Sequence, residues 1–252
     1  MSDAVRGAGT TGAQPPQVQM SPLCPIGYIE SCWSEKFGIP KQSGLVNSAT
    51  ATLRLQPPYH RPEMFRGLDA FSHVWLLFLF HDTVNEGWKP TVRPPRLGGR
   101  KRVGVFASRS PHRPNHLGMS VVRLQRLVVE GGAVRLELGG ADLLDGTPVL
   151  DLKPYLPYAD AIAEASAGFT AESGAEVAVS FVPGAERFCA RYRRRTGRPL
   201  HELVRETLQN DPRPASQRVV GREFGILFWD VNVRWRVTAA GFVVVSCTEI
   251  RE

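Results

Sequence analysis

Between Pro25 and Leu138 the chain alternates short apolar runs with polar breaks rich in glycine and proline. Ile26-Gly-Tyr-Ile29 and Ala51-Thr-Leu-Arg-Leu55 predict strands, the second by its every-other-residue apolar positions. The Phe71–Phe80 run, apolar apart from Ser72 and His73, predicts a strand buried on both faces. Val103–Phe106, Val121–Val129 and Ala133–Leu138 extend the series, and Gly131-Gly132 predicts a tight hairpin between the last two. Five or six strands with almost no helix between them predict an antiparallel barrel or closed sheet, and exclude a βαβ array.

Beyond residue 157 the pattern changes. Residues 158–178 are acidic and alanine-rich and read as a linker or crossover, followed by a strand at Val177–Phe181. Ala185–Tyr192 and Pro199–Gln209 have helical spacing, the second with Leu200, Leu203, Val204 and Leu208 on one face. Gly225–Trp229, Val231–Val237 and Phe242–Cys247 return to strand character. The expected fold is mainly β, a small antiparallel β-barrel with a smaller α+β C-terminal domain. Its expected divisions are a disordered tail (1–20), the barrel (21–157), a linker or crossover (158–179) and the C-terminal domain (180–252).

Composition narrows the class. With 42% apolar residues in 252, the chain has enough material for a core, which excludes a wholly disordered protein. Its 20 prolines and 24 glycines favour turns and short strands. Cys24, Cys32, Cys189 and Cys247 form no paired motif, so they read as reduced thiols and not as a zinc site. The run Val74–Phe80 is too short to cross a bilayer, and no secretory leader opens the sequence. A soluble, cytoplasmic protein is expected.

The net charge of +7 is not evenly spread. Residues 89–126 hold ten Lys and Arg and no acid, whereas 127–184 hold two bases and nine acids. A 38-residue stretch without a carboxylate is hard to place inside a core, so its cations are expected to face solvent or a ligand, and a site for phosphates is favoured over a solvated basic face.

Four segments combine proline, glycine and polar side chains in the manner of preformed pockets. They are Phe37–Gly44, Asp69–His73 with His81-Asp82 at the end of the following apolar run, Val92–Gly99 with Gly104–Ser120, and Ala141–Tyr155. Familiar catalytic signatures are absent: there is no GxSxG, no phosphate-binding P-loop and no HExxH. His112 and His116 stand four apart, but Pro111 and Pro114 oppose a helix that would present both to a metal, and no metal is expected. Leu136–Gly146 faintly echoes the glycine-rich turn of Rossmann methyltransferases, yet its glycines are misplaced and it reads as strand, turn, strand.

From about Ile26 to the C-terminus the chain closely resembles the TsaA-like (TrmO) tRNA methyltransferases. The resemblance is carried by Phe37-Gly-Ile-Pro-Lys-Gln-Ser-Gly-Leu45, Gly67-Leu-Asp-Ala-Phe-Ser-His-Val-Trp75, Phe106-Ala-Ser-Arg-Ser-Pro-His-Arg-Pro-Asn115, Leu144-Asp-Gly-Thr-Pro-Val149 and Asp151-Leu-Lys-Pro-Tyr-Leu-Pro157. Gln209–Ala215 and Asn232–Trp235 fit the second domain. His116 departs from it, since many members have proline there.

The resemblance implies a barrel that binds S-adenosyl-L-methionine, acts as a homodimer, and methylates N6 of N6-threonylcarbamoyladenosine in a threonine tRNA. It places the cofactor against Pro40, Lys41, Gln42, His81, Asp82, Arg109, Met119, Leu144, Asp145, Gly146 and Thr147. An acceptor nitrogen whose lone pair is shared with a carbonyl is a poor nucleophile, so a general base helps; His81, Asp82 and Asp145 are unranked candidates. Arg109 suits the methionine carboxylate, or pairs instead with Asp142 or Asp145. Asp145 in Asp-Gly-Thr-Pro equally suits a simple turn. Phosphate contacts are expected from Arg93, Arg96, Arg100, Lys101, Arg102, Arg191, Arg193, Arg194 and Arg195. The basic blocks alone would equally suit a non-catalytic RNA-binding barrel, and the same barrel would suit a small-molecule methyltransferase.

Overall fold

In strands whose successive side chains point to opposite faces, the apolar set must find a common interior. Here six strands do so by closing on themselves. The computed structural model describes residues 22–94, 97, 99, 101–170, 176–213, 217 and 219–250, so the tail at 1–20 lies outside the described residues. β1 (Gly27–Ser31), β2 (Thr50–Leu55), β3 (His73–Leu79), β6 (Leu117–Glu130), β7 (Ala133–Gly139) and β8 (Pro148–Pro154) form a closed antiparallel barrel in the order β1-β2-β7-β6-β3-β8. Two short strands, β4 (Thr91–Val92) and β5 (Val103–Gly104), pair with each other as a separate ribbon.

The interior carries Ile29, Leu53, Leu76, Leu136, Leu138 and Val149, all at or near zero exposure. Gly131 and Gly132 both have positive φ (59° and 80°), the left-handed pair that a two-residue hairpin between β6 and β7 demands.

Two expectations are corrected. The Phe71–Phe80 run is not buried on both faces: in β3, Val74, Leu76 and Phe78 enter the core while the alternate positions are half-buried outside. Those outer apolar groups have other work; Trp75 packs on Tyr155 and donates its indole N–H to Asp160 (2.9 Å), at the end of the one-turn helix α1 (Pro157–Asp160). The Val103–Phe106 run is strand only at Val103–Gly104, because a 3-10 turn takes over at Val105–Ala107.

The second lobe is a four-stranded sheet in the order β10 (Glu223–Phe228), β11 (Val231–Thr238), β12 (Gly241–Glu249), β9 (Val179–Phe181), with β9 parallel to β12. Helices α2 (Pro183–Thr196) and α3 (Leu200–Gln209) cover it through Ala185, Cys189, Tyr192, Leu200, Leu203, Val204 and Leu208. The same core takes in Cys32, Trp33, Val46 and Ala49 from the connection between β1 and β2. Residues 32–49 therefore form a strap that belongs to the barrel by chain order and to the second lobe by packing.

Trp33 is the strap's main anchor. Its ring is fully buried against Phe228 (centroids 5.5 Å apart), and its indole N–H donates to the Ala141 carbonyl (2.8 Å). Ser48 donates twice to Glu206 of α3 at 2.9 Å, and the Trp229 N–H reaches the Cys32 carbonyl at 3.1 Å. Trp33→Ala should destabilise the protein by roughly 3–5 kcal/mol. Urea unfolding followed by both tryptophan fluorescence and circular dichroism should show the midpoint fall as one transition; a second lobe that melts unchanged would contradict the shared core.

Candidate active site

The barrel's β3–β6 edge is flanked by three long connections, and they enclose a groove of about 670 Å³. Leu77, Phe78 and Phe80 form one wall, Leu117–Ser120 another, Phe106, Ser108, Arg109 and Arg113–Asn115 overhang it, and Ile39–Gln42 and Asp142 complete it.

Each connection is held by its own local chemistry. In the first, Phe37 and Ile39 pack on the second-lobe core, and the Gly44 N–H donates to the Gly140 carbonyl at 2.9 Å. Gly140 has φ +68°, and a Cβ there would stand 3.3 Å from the Gly44 N and Cα atoms, so conformation and close approach both require glycine. That contact holds Pro40-Lys41-Gln42 beside the connection between β7 and β8. In the second, Val105 is buried as an anchor, Ser108 donates to the Val105 carbonyl (2.8 Å), and Arg113 donates to the Ser108 carbonyl (3.1 Å). Arg109, at the exposed turn, donates to the Gln42 side-chain carbonyl and so joins the two connections across the groove mouth. Among the described residues Arg109 makes no ion pair with Asp142 or Asp145.

In the third, Asp142 is set between Ala141 and Leu143, which are 0% and 1% exposed. The backbone is clamped on either side: the Ala141 N–H donates to Ala49 (3.3 Å), and the Leu143 carbonyl accepts from Ser31 Oγ (2.8 Å). Asp142 thereby lines the groove, and its Oδ1 is buried with no hydrogen-bond partner among the described residues. Burial pushes the Asp142 carboxyl above the usual carboxylate range, and the Ser120 hydroxyl, the N–H groups of Asp142 and Ser43 and the Arg109 charge pull it back only in part.

The expected site residues divide. Pro40, Lys41, Gln42, Arg109 and Met119 line the groove together. His81 and Asp82 open a 3-10 turn just past β3, outside the groove lining. Asp82 is paired with Lys36 (2.8 Å), whose hydrogen bond holds its carboxyl below the usual range and makes it a weak base. Leu144, Asp145, Gly146 and Thr147 form the turn that leads into β8. There Asp145 accepts from the Ser31 N–H (2.8 Å), the Gly146 N–H donates to Ile29 (2.8 Å), and Thr147 is 3% exposed. Asp145 faces a second cavity of about 610 Å³, between barrel and second lobe, with Arg198, Trp229 and Asp230.

Of the expected phosphate contacts, Arg93, Lys101 and Arg102 are exposed around the β4–β5 ribbon, and Arg96 and Arg100 lie outside the described residues. Arg191, Arg193, Arg194 and Arg195 are exposed on α2, although Arg193 is paired with Glu202 (2.6 Å) and Arg195 with Glu249. His112 approaches Glu86 (3.7 Å) and His116 bonds the Pro111 carbonyl (3.1 Å); no metal-binding cluster occurs among the described residues. None of their helices is long and apolar enough to cross a membrane.

Asp142 and the ring wall of Phe78, Phe80 and Phe106 are the parts that motif reading passes over. The available signal for Asp142 was one carboxylate held between two apolar residues after a glycine pair.

Among the described residues the fold is a closed antiparallel barrel with its groove between loops, and it contains no doubly wound sheet. Residues 28–161 match the tRNA-methyltransferase O N-terminal domain and residues 174–250 the TrmO C-terminal domain, and the chain belongs to this family. It is 50% identical over 224 residues to the tRNA (adenine(37)-N6)-methyltransferase of Escherichia coli (strain K12), covering 88% of this chain and 95% of that one. The human protein of the same name is 47% identical over 138 residues, 54% of this chain and 30% of its own. A crystal structure of TrmO from Pseudomonas aeruginosa superposes with TM-score 0.77 at 41% identity, covering 91% of this chain and 99% of that one.

The raised carboxyl has a consequence for stability. A native-state value above the unfolded one means that the associated stability is present below the unfolded value and lost as pH rises through the folded one. Asp142→Asn removes that loss. Its urea midpoint should exceed the parent's at pH 7.5, with the gap narrowing as pH falls toward 4; a variant weaker at both pH values would contradict the buried-charge assignment.

Proposed function

We propose that the protein transfers a methyl group from S-adenosylmethionine to N6 of N6-threonylcarbamoyladenosine at position 37 of threonine tRNA. The observation that carries this reading is the groove itself, where apolar walls, an arginine–glutamine bridge and one carboxylate with a buried, unpartnered oxygen converge beside β3 and β6. The cofactor fits this setting. The paired rings of Phe78 and Phe80, with Phe106 overhanging the groove, suit a purine, Phe106 and Met119 being 78% and 54% exposed. Bound there, it supplies a methyl group made electrophilic by a positively charged sulfur.

The chain's own residues supply alignment and a dry setting. Pro40, Lys41, Gln42, Arg109 and Met119 form the cradle. Arg109 orients the methionine carboxylate with its planar fork, and Gln42 holds the guanidinium at the groove mouth. The acceptor base comes from a single-stranded loop and enters without breaking a duplex. In this reading the barrel of residues 21–157 carries the chemistry. The lobe of 180–252, joined through 158–179, adds Arg191 and Arg193–Arg195 to Arg93, Lys101 and Arg102 as phosphate contacts. The pairs of Arg193 and Arg195 are surface ion pairs of small worth, so phosphates compete with them readily. The working unit in this reading is a cytoplasmic homodimer.

Incubation with methyl-labelled cofactor and tRNA, followed by nucleoside mass analysis, should place label on threonylcarbamoyladenosine and none on unmodified adenosine. Label on a small molecule, or none on tRNA, would overturn the assignment. Arg109→Ala should weaken calorimetric cofactor affinity by roughly 10- to 100-fold, the value of a charge-assisted two-pronged contact. Arg194→Glu should leave cofactor affinity unchanged, weaken tRNA binding, and lower the slope of log affinity against log salt by about one.

A further inference from the structure

We infer that Asp142 is the general base of the methyl transfer, its Oδ1 accepting the proton that leaves N6 of the substrate adenosine. The inference rests on the function proposed above and adds to it the residue that makes a poor nucleophile reactive. Among the described residues lining the groove, Asp142 is the one carboxylate, and no histidine lines it. The other ionisable lining groups, Lys41, Arg109 and Arg113, are cations. From the elements packed around it, Asp142 meets the Arg109 charge, the Ser120 hydroxyl on β6 and the Ser43 N–H on the strap.

Geometry separates Asp142 from the candidates that motif reading offered. Asp82 spends its charge on Lys36, and Asp145 spends Oδ1 on the Ser31 N–H at another cavity. Among the described residues Oδ1 of Asp142 has no donor although it is buried, an arrangement that costs stability unless a ligand supplies the missing hydrogen. The missing partner is an N–H, and the acceptor N6 carries one.

The step balances. The N–H electron pair stays on nitrogen as the proton passes to Oδ1, nitrogen's lone pair forms the bond to the methyl carbon, and the carbon–sulfur pair remains on a sulfur that becomes neutral. Asp142, now a neutral acid, returns its proton to water once the groove opens. Burial assists, because a carboxyl held toward neutrality is a stronger proton acceptor than an exposed one.

Single-turnover transfer from labelled cofactor to threonylcarbamoyladenosine-bearing tRNA tests the assignment in the full-length protein, alongside calorimetric cofactor titration. Asp142→Asn should slow the transfer step by roughly 10²- to 10⁴-fold, with cofactor affinity within threefold of the parent and a native circular dichroism spectrum. The parent's log rate should rise with pH at acidic values, and the variant should lose that limb. In Asp142→Ala, added formate should restore transfer at least tenfold, a response that a packing defect does not give. Three results would overturn the role of Asp142 while leaving the function intact: an active Asn variant, a loss confined to cofactor affinity, or an unchanged acidic limb. A parent protein that labels no tRNA would overturn the function as well.

Discussion

The structure depends on one shared burial, that of the 32–49 strap in the core of the second lobe. Trp33 fills space beside Phe228 while its indole N–H satisfies a carbonyl on the barrel side, so one side chain ties two hydrophobic interiors. The strap's far end meets the barrel again where Gly44 donates to Gly140. Between these fixed points the Pro40–Gln42 segment has little freedom. A cradle built on loops is positioned almost as firmly as one built on strands, because both ends of its loop are anchored in packed regions.

The groove accepts a cost for that arrangement. A carboxylate with an unanswered oxygen is held between two fully buried apolar neighbours, whereas ion pairs such as Arg54 with Glu30 and Arg126 with Glu137 sit at the surface. Such groups tend to concentrate where chemistry happens, because the desolvation that weakens the fold also sharpens proton affinity. Arg109 shows the complementary strategy. It remains exposed and is held by a neutral amide, so its charge stays available to a ligand.

The barrel was legible because alternation of apolar residues is enforced by the strand's geometry, and the Gly131-Gly132 hairpin because left-handed backbone is costly for other residues. Phe71–Phe80 misled because its outward positions are apolar too, covered by Tyr155 or turned to the groove wall. The loops were legible as pocket formers from their proline and glycine content. Which loops meet was not, since Asp142 joins the groove and Asp145 leaves it, three residues apart, according to which carbonyls and hydroxyls clamp the intervening backbone. Ion pairs such as Arg193 with Glu202 likewise follow from the docking of α2 on α3, which residue counts along the chain do not encode.

His116 carries a last consequence. Its backbone is left-handed (φ +49°), a conformation closed to proline, and its carbonyl accepts the N–H of Phe80 at 2.8 Å. With proline the peptide must take another path, and the aromatic ring one position beyond β3 must find a new tether. One loop residue thus tethers a ring of the groove wall through its backbone alone, so a change of chain path at this position would move the wall without altering any side chain in it.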